Sequence, residues 1–441
     1  MPLLHFQRRL RISSAAVLLM TGVGCTAAPP VVVPLPAPPP AAPAPIVIAP
    51  VRVSPVRLLV DGALASVGMD SSLSVRLDSI IKQALAEGAA PGAALAVGRF
   101  GRLVHQRGYG TLDFTPGSPV VSSATLYDLA SLTKVIATTT AAMLLEEEGK
   151  LDVARTVHSY LPEFNAPDKE AITVRMLLTH SGGLEAYAPL YLKYRSRAEF
   201  IAQINARPLR SAPGTTTVYS DWDMVLLQAV IERITATPLD QFTTRRVFEP
   251  LGMQDTQFLP DTSNASLRQR IAPTAVDTSR GGLLQGTVHD GNAWAIGGVS
   301  GHAGLFSSAR DLAVFAQTLL WGGTYGDVRI VTPMTVARWT SRQSAASSRA
   351  LGWDTPAPES SAGRYFSARS FGHTGFTGTS LWVDPERGVF VVLLMNRVNS
   401  HGTSTRHVKL RRDVDDAVQA AIMDAPLTEW EMHSGRTHVA P

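Results

Sequence analysis

The run Val389–Met395, VFVVLLM, contains no polar residue. A strand made of it has no face to offer water, so it must lie mid-sheet and be covered on both sides. It is the second arm of a hairpin, TSLWVDPERGVFVVLLMNR (379–397), turning at Asp384–Arg387. A second hairpin stands near the other end of the globular pattern, GAALAVGR and RLVHQRGYG joined at Phe100–Gly101. The stretch between the hairpins is mostly helical in its spacing. LSVRLDSIIKQALAEG (73–88) and VKLRRDVDDAVQAAIM (408–423) add an amphipathic helix at each end. The expectation is an α+β fold: one antiparallel sheet built from both termini, flanked by the terminal helices, with a mostly helical lobe inserted at roughly 130–345. A site belongs in the crevice between sheet and lobe.

The 441 residues are 45% hydrophobic, ample for a large core. The net charge of +4 owes three units to Arg8, Arg9 and Arg11 in a leader without acids, which leaves +1 for the remainder. The short KLRR at 409–412 lies in a helix, so nucleic-acid binding is not expected. Residues 1–25 have the basic start and short apolar run of an export signal, too short to span a bilayer. Cys25, the single cysteine, stands in TGVGC, loosely a lipobox, and is the expected site of lipidation. A periplasmic lipoprotein without disulfides follows. Residues 26–70 include the Pro/Ala/Val stretch at 27–56 and read as an extended linker, 71–425 as the folded domain and 426–441 as a tail.

In LASLTKVIATT (129–139) a serine and a lysine stand three apart in apolar company, hence on one helix face. A serine hydroxyl attacks only when a base takes its proton. An ordinary lysine, pKa about 10.4, is a poor base, but burial disfavours its charged form. Asp128 is a candidate cap for the helix that opens here, whose dipole would favour an alkoxide. Alone, S-x-x-K is a weak signal. Two further motifs follow in order: Tyr219-Ser220-Asp221 before an apolar helix, and His373-Thr374-Gly375 within FGHTGFTG (371–378).

S-x-x-K, Tyr-x-Asn and Lys-Thr-Gly in this order are the signature of penicillin-recognising serine hydrolases. Residues 75–425 resemble the class C β-lactamase-like family, which includes penicillin-binding proteins, D-alanyl-D-alanine carboxypeptidases and esterases. ITVRMLLTHSGGL (172–184) and GGVSGHAGLFSSARDLAVFAQTLL (297–320) extend the likeness. The resemblance implies a β-lactamase/transpeptidase-like fold and an acyl-enzyme on Ser131, with no metal or cofactor. Lys134 and Tyr219 share the proton work, and the backbone N–H groups of Ser131 and Phe376 form the oxyanion hole. Asp221, His373, Thr374, Gly375 and Asn396 would contact a small-molecule or peptide acyl donor: a cell-wall peptide, a β-lactam or an ester.

Two departures bear on chemistry. Asp221 replaces the usual asparagine; it would hold Lys134 as an ion pair, raise that lysine's pKa and favour Tyr219 as base. His373 replaces a lysine and is mostly neutral at pH 7, so anion recognition weakens or must borrow from Asn396 or Arg397. Esterase chemistry is thereby as open as peptidase or lactamase chemistry, and a catalytically silent wall-peptide binder is the rival of another class. His289, Asp290 and His302 match no zinc spacing and are expected to fix loops, as His180 should brace its turn. Trp222 fits either cleft or core.

Overall fold

A computed structural model describes residues 58–358, 360–399 and 405–429. The leader, Cys25 and most of the linker and tail lie outside the described residues. The principal sheet has strands β1 (Val60–Asp61), β2 (Gly92–Arg99), β3 (Arg102–Gly110), β4 (Phe371–Thr374), β5 (Ser380–Asp384) and β6 (Val389–Met395). Their order across the sheet is β1-β3-β2-β6-β5-β4, antiparallel except for the β1–β3 edge. The first and last thirds of the chain therefore meet at β2–β6, with Leu95 opposite Leu393. β2 and β6 are buried along their whole length, as a run without polar residues requires.

Alternation along these two strands divides the core. Leu95, Val97, Val391, Leu393 and Met395 point to one face, under α1 (Leu73–Ala86) and α5 (Arg406–Ala420). Ala94, Ala96, Phe390, Val392 and Leu394 point to the other, towards the helical lobe and its helix α4 (Ala309–Leu320). Alanines on β2 leave room for the larger side chains of β6. At Gly98 the fit is tighter still, since a Cβ would lie 2.2 Å from the Phe390 ring and the ring would have to shift. This is the expected α+β architecture.

One boundary moves. The expected linker extends to residue 70, yet Leu59, Val67 and Met69 are buried and β1 pairs with β3. Apolar residues spaced among Asp and Gly there are an edge strand and a 3-10 turn, Leu64–Val67, too short to register as a periodic pattern.

Candidate active site

The SLTK segment is not a regular helix. Ala130 takes the left-handed conformation, φ 46°, with its N–H held by the Asp128 carboxylate at 2.9 Å. Asp128 thus fixes the turn before the helix rather than capping it, and its second oxygen accepts His289 N–H at 2.7 Å. Tight turns follow at Leu132, Thr133 and Lys134, then a π-helical stretch Lys134–Thr139, then α2 (Thr140–Glu147). A π segment beside a reactive group is a common place for such irregularity. The GHAGL loop stitches the turn down: Leu305 N–H to Thr133 Oγ1 at 3.1 Å, and Thr138 Oγ1 to the Gly301 carbonyl at 2.7 Å.

This backbone places Ser131 and Lys134 together. Lys134 Nζ donates to Ser131 Oγ at 2.9 Å, to the His302 carbonyl at 3.1 Å and to Asp221 Oδ1 at 2.8 Å. Its side chain is fully buried, so desolvation works against its charge. The Asp221 carboxylate outweighs that, and Tyr219 adds to it, so the lysine's pKa stands above its ordinary value. Asp221 begins α3 (Asp221–Thr235), behind the Ser220 cap. Tyr219, just before it, lies with Lys134 Nζ 4.9 Å from its ring centroid.

The third wall is the β4–β5 connection. Thr377 Oγ1 donates to the Asp128 carbonyl at 2.7 Å and Thr379 Oγ1 to that of Leu129 at 3.0 Å. A Cβ on Gly375 would lie 2.4 Å from the Leu129 carbonyl, so only glycine lets these backbones pass. Arg411, buried on α5, donates to the carbonyls of Gly375, Gly378 and Thr379. The two loops that carry Ser131 and Phe376 are therefore tied to each other and to the core. Among the described residues neither the Ser131 nor the Phe376 backbone N–H has a protein acceptor, and both residues line the cleft.

The cleft encloses about 970 Å³ between sheet and helical lobe. Ser131, Tyr219, Asp221, His373, Thr374, Gly375 and Phe376 all line it. Asn396 does not. Its buried amide donates to the carbonyls of Leu112 and Pro273, 2.7 Å each, and so secures loops behind the site. Four arginines line the cleft. Arg280 is engaged by Asp277 and the Val288 and His289 carbonyls, Arg411 by the three carbonyls above, and the other two are Arg397 and Arg349. Arg397 lies over the Phe376 ring at 4.3 Å and donates to its carbonyl. Arg349, from the SSRALGW loop, sits 5.1 Å from the centroid of Tyr219. No motif marks Arg349, which reaches the site only because its loop folds against the sheet; sequence reading missed it. Burial drives the His373 pKa well below that of an ordinary histidine, and the Arg349 and Lys134 cations push the same way. Its Nδ1 contacts the Thr374 carbonyl at 2.8 Å.

Asp290 and His302 brace one another, Oδ1 to Nε2 at 2.8 Å, while Ser300 Oγ meets His302 Nδ1 at 2.7 Å. That aims the His302 carbonyl at Lys134. Asp221 joins them in a cluster whose potential ligand atoms lie within 4.8 Å of one another, but the lysine ammonium sits against Asp221. Trp222 belongs to the core, packed edge-on against Phe200.

Comparison with known proteins agrees with this fold. The sequence model of the Beta-lactamase family matches residues 77–416. A protein of Salmonella agona (strain SL483) named as a candidate D-alanyl-D-alanine carboxypeptidase is 35% identical over 368 residues, 76% of this chain and 85% of that protein. Among solved structures, a penicillin-binding protein homologue from Caulobacter crescentus superposes with a TM-score of 0.63 at 23% identity, covering 79% of this chain and 99% of the other. EstCE1, a hydrolase with promiscuous acyltransferase activity, gives 0.63 and 23%, covering 79% and 98%. With Ser131, Lys134 and Tyr219 brought together on a fold of this kind, the chain belongs to the beta-lactamase family of serine hydrolases.

Proposed function

We propose that the protein cleaves D-alanyl peptides through an acyl-enzyme on Ser131. The observation that carries this is the Lys134 ammonium, 2.9 Å from Ser131 Oγ and 2.8 Å from Asp221 at the floor of the cleft. An ammonium that keeps its three protons takes none from serine. The Ser131 proton then passes to the Tyr219 oxygen, which receives it as the phenolate beside the Lys134 ammonium, and Lys134 stabilises the emerging alkoxide. Oγ bonds to the substrate carbonyl carbon, whose oxygen is received by the Ser131 and Phe376 N–H groups. Tyr219 returns the proton to the departing amine, and water releases the acyl group.

A peptide ending in D-alanine brings a carboxylate. With His373 neutral, Arg349 and Arg397 are the groups to meet it. The same neutral His373 favours a second reading, carboxylesterase activity on uncharged acyl donors. Both are tested by incubating the purified protein with a D-alanyl-D-alanine peptide, a fluorescent penicillin and p-nitrophenyl esters, then mapping adducts by mass spectrometry. Release of D-alanine with an acyl group on Ser131 is expected, and Arg349→Ala should raise KM for the peptide about tenfold or more, as losing a charge-assisted hydrogen bond does. Ester turnover without peptide cleavage would support the esterase; no adduct with any reagent would leave only a binding role.

Export and anchoring belong to the same reading, since a wall peptide lies outside the cytoplasm. Lipidation of Cys25 would tether the domain through the Pro/Ala-rich segment. Globomycin-sensitive processing that disappears in Cys25→Ala is the expected result; processing indifferent to both overturns it.

A further inference from the structure

Both neighbours of Tyr219 hydrogen-bond to one residue, His180. Val218 N–H donates to the His180 carbonyl at 2.8 Å, and Ser220 N–H donates to its Nδ1 at 3.3 Å. Between them the Tyr219 ring leans on the imidazole, centroids 4.7 Å apart and planes at 54°. His180 is buried and holds φ at 55°, a left-handed conformation uncommon outside glycine. Asp223 Oδ2 lies 2.8 Å from the same Nδ1. Asp223 is the third residue of α3, so its first turn presents Asp221 to Lys134 and Asp223 to His180.

The proton between Nδ1 and Asp223 can be located. The Ser220 amide hydrogen points at Nδ1, which must meet it with a lone pair; a proton on Nδ1 would oppose it. With the Nδ1 lone pair so engaged, the shared proton is assigned to Asp223 as a neutral carboxylic acid and the ring proton to Nε2, which is buried without a hydrogen-bond partner among the described residues. Charge in the surroundings agrees. Burial raises the Asp223 pKa well above the carboxylate range, and Asp221 adds to this while Lys134 opposes it. Burial likewise holds His180 well below its ordinary value, with Arg349, Lys134 and His373 adding to the effect. Those, with Tyr219 itself, are the charged and titratable groups that act on the pair, from α3, the SLTK segment, the SSRALGW loop and β4.

We propose that His180 is the positioning residue of Tyr219, acting as a neutral Nε2–H imidazole clamped by a protonated Asp223. It rests on the reading that Tyr219 handles the proton of Ser131. A neutral clamp fixes the tyrosine without adding a second carboxylate charge near Lys134, so Asp221 remains the carboxylate partner of the lysine. Without it the backbone around residue 219 loses two anchors and the ring its support.

The test has two arms. In the first, the full chain carries ¹⁵N-histidine, and the His180 resonances are those missing from His180→Gln. They should show the Nε2–H tautomer and stay unprotonated through roughly pH 5–8, the range in which an unperturbed histidine titrates. An Nδ1–H tautomer or an imidazolium there overturns the proposal. In the second, a fluorophosphonate labels Ser131, which needs no knowledge of the natural substrate. His180→Ala should slow the limiting rate about a hundredfold with little change in half-saturation, as expected for a misplaced proton acceptor. Asp223→Asn, whose amide N–H can replace the acid proton, should stay within about tenfold of the parent, while Asp223→Leu should resemble His180→Ala. Parental labelling by His180→Ala, or Asp223→Asn as slow as Asp223→Leu, refutes the clamp. If His180→Ala does not fold, the Asp223 pair decides. If the parent itself fails to label at Ser131, the catalytic reading is lost, and the tautomer still decides whether the clamp exists.

Discussion

Ser131→Ala should remain folded, keep its cleft and lose turnover by on the order of 10⁴–10⁶-fold, the range seen when a hydrolase nucleophile is removed. The reason is geometric. Among the described residues Ser131 Oγ is the one hydroxyl to which the Lys134 ammonium donates, and no neighbouring side chain in SLTK can replace it: Thr133 is buried with its Oγ1 taken by Leu305 N–H. Stability should change by about 1 kcal/mol or less, because the lysine keeps Asp221 and the His302 carbonyl as partners. Adduct mapping and thermal unfolding on the same preparation check both halves. Persistent acylation of the variant, at any residue, would move the nucleophile elsewhere and dissolve the scheme.

How much of this was legible beforehand follows from the range of each signal. β6 announces itself, because seven apolar residues in a row have few ways to hide from water. Ser131, Lys134, Tyr219 and Asp221 are legible as short motifs whose order survives even when single letters change. The ion pair of Lys134 with Asp221 was likewise deducible, since a carboxylate in place of an amide beside a buried lysine has an obvious partner. What stayed hidden depends on long-range closure. Arg349 enters the cleft from a loop of small polar residues that carries no periodicity. Asn396 looks like a substrate contact because it follows β6 near the His-Thr-Gly loop, yet its side-chain N–H groups are taken by the carbonyls of Leu112 and Pro273. His180 was legible as a brace, but the hydrogen bonds to both sides of Tyr219 exist only once residues 180 and 219 meet in space.

Asp221→Ala should cost about 3–5 kcal/mol of folding free energy near neutral pH, the penalty for leaving a buried charge without its partner. The dependence on pH gives the result its specificity. In the parent, the folded-state pKa of Lys134 lies above its unfolded value of about 10.4, so the pair stabilises fully below that pH and fades only as pH rises through the folded value. In the variant, desolvation is left as the dominant influence and the folded-state pKa falls below the unfolded one. The unfolded chain then binds more protons, and stability must rise as pH climbs towards about 10.4. Denaturant titrations at pH 7 and pH 9 should therefore show the gap between parent and variant narrowing with alkalinity. Asp221→Asn, whose side-chain carbonyl still accepts from the ammonium, should lie between the two. A loss under about 1 kcal/mol, or a gap indifferent to pH, would mean that Lys134 is not held charged by Asp221. The case for Tyr219 as proton acceptor would fall with it, since an uncharged lysine 2.9 Å from Ser131 Oγ would be the better base.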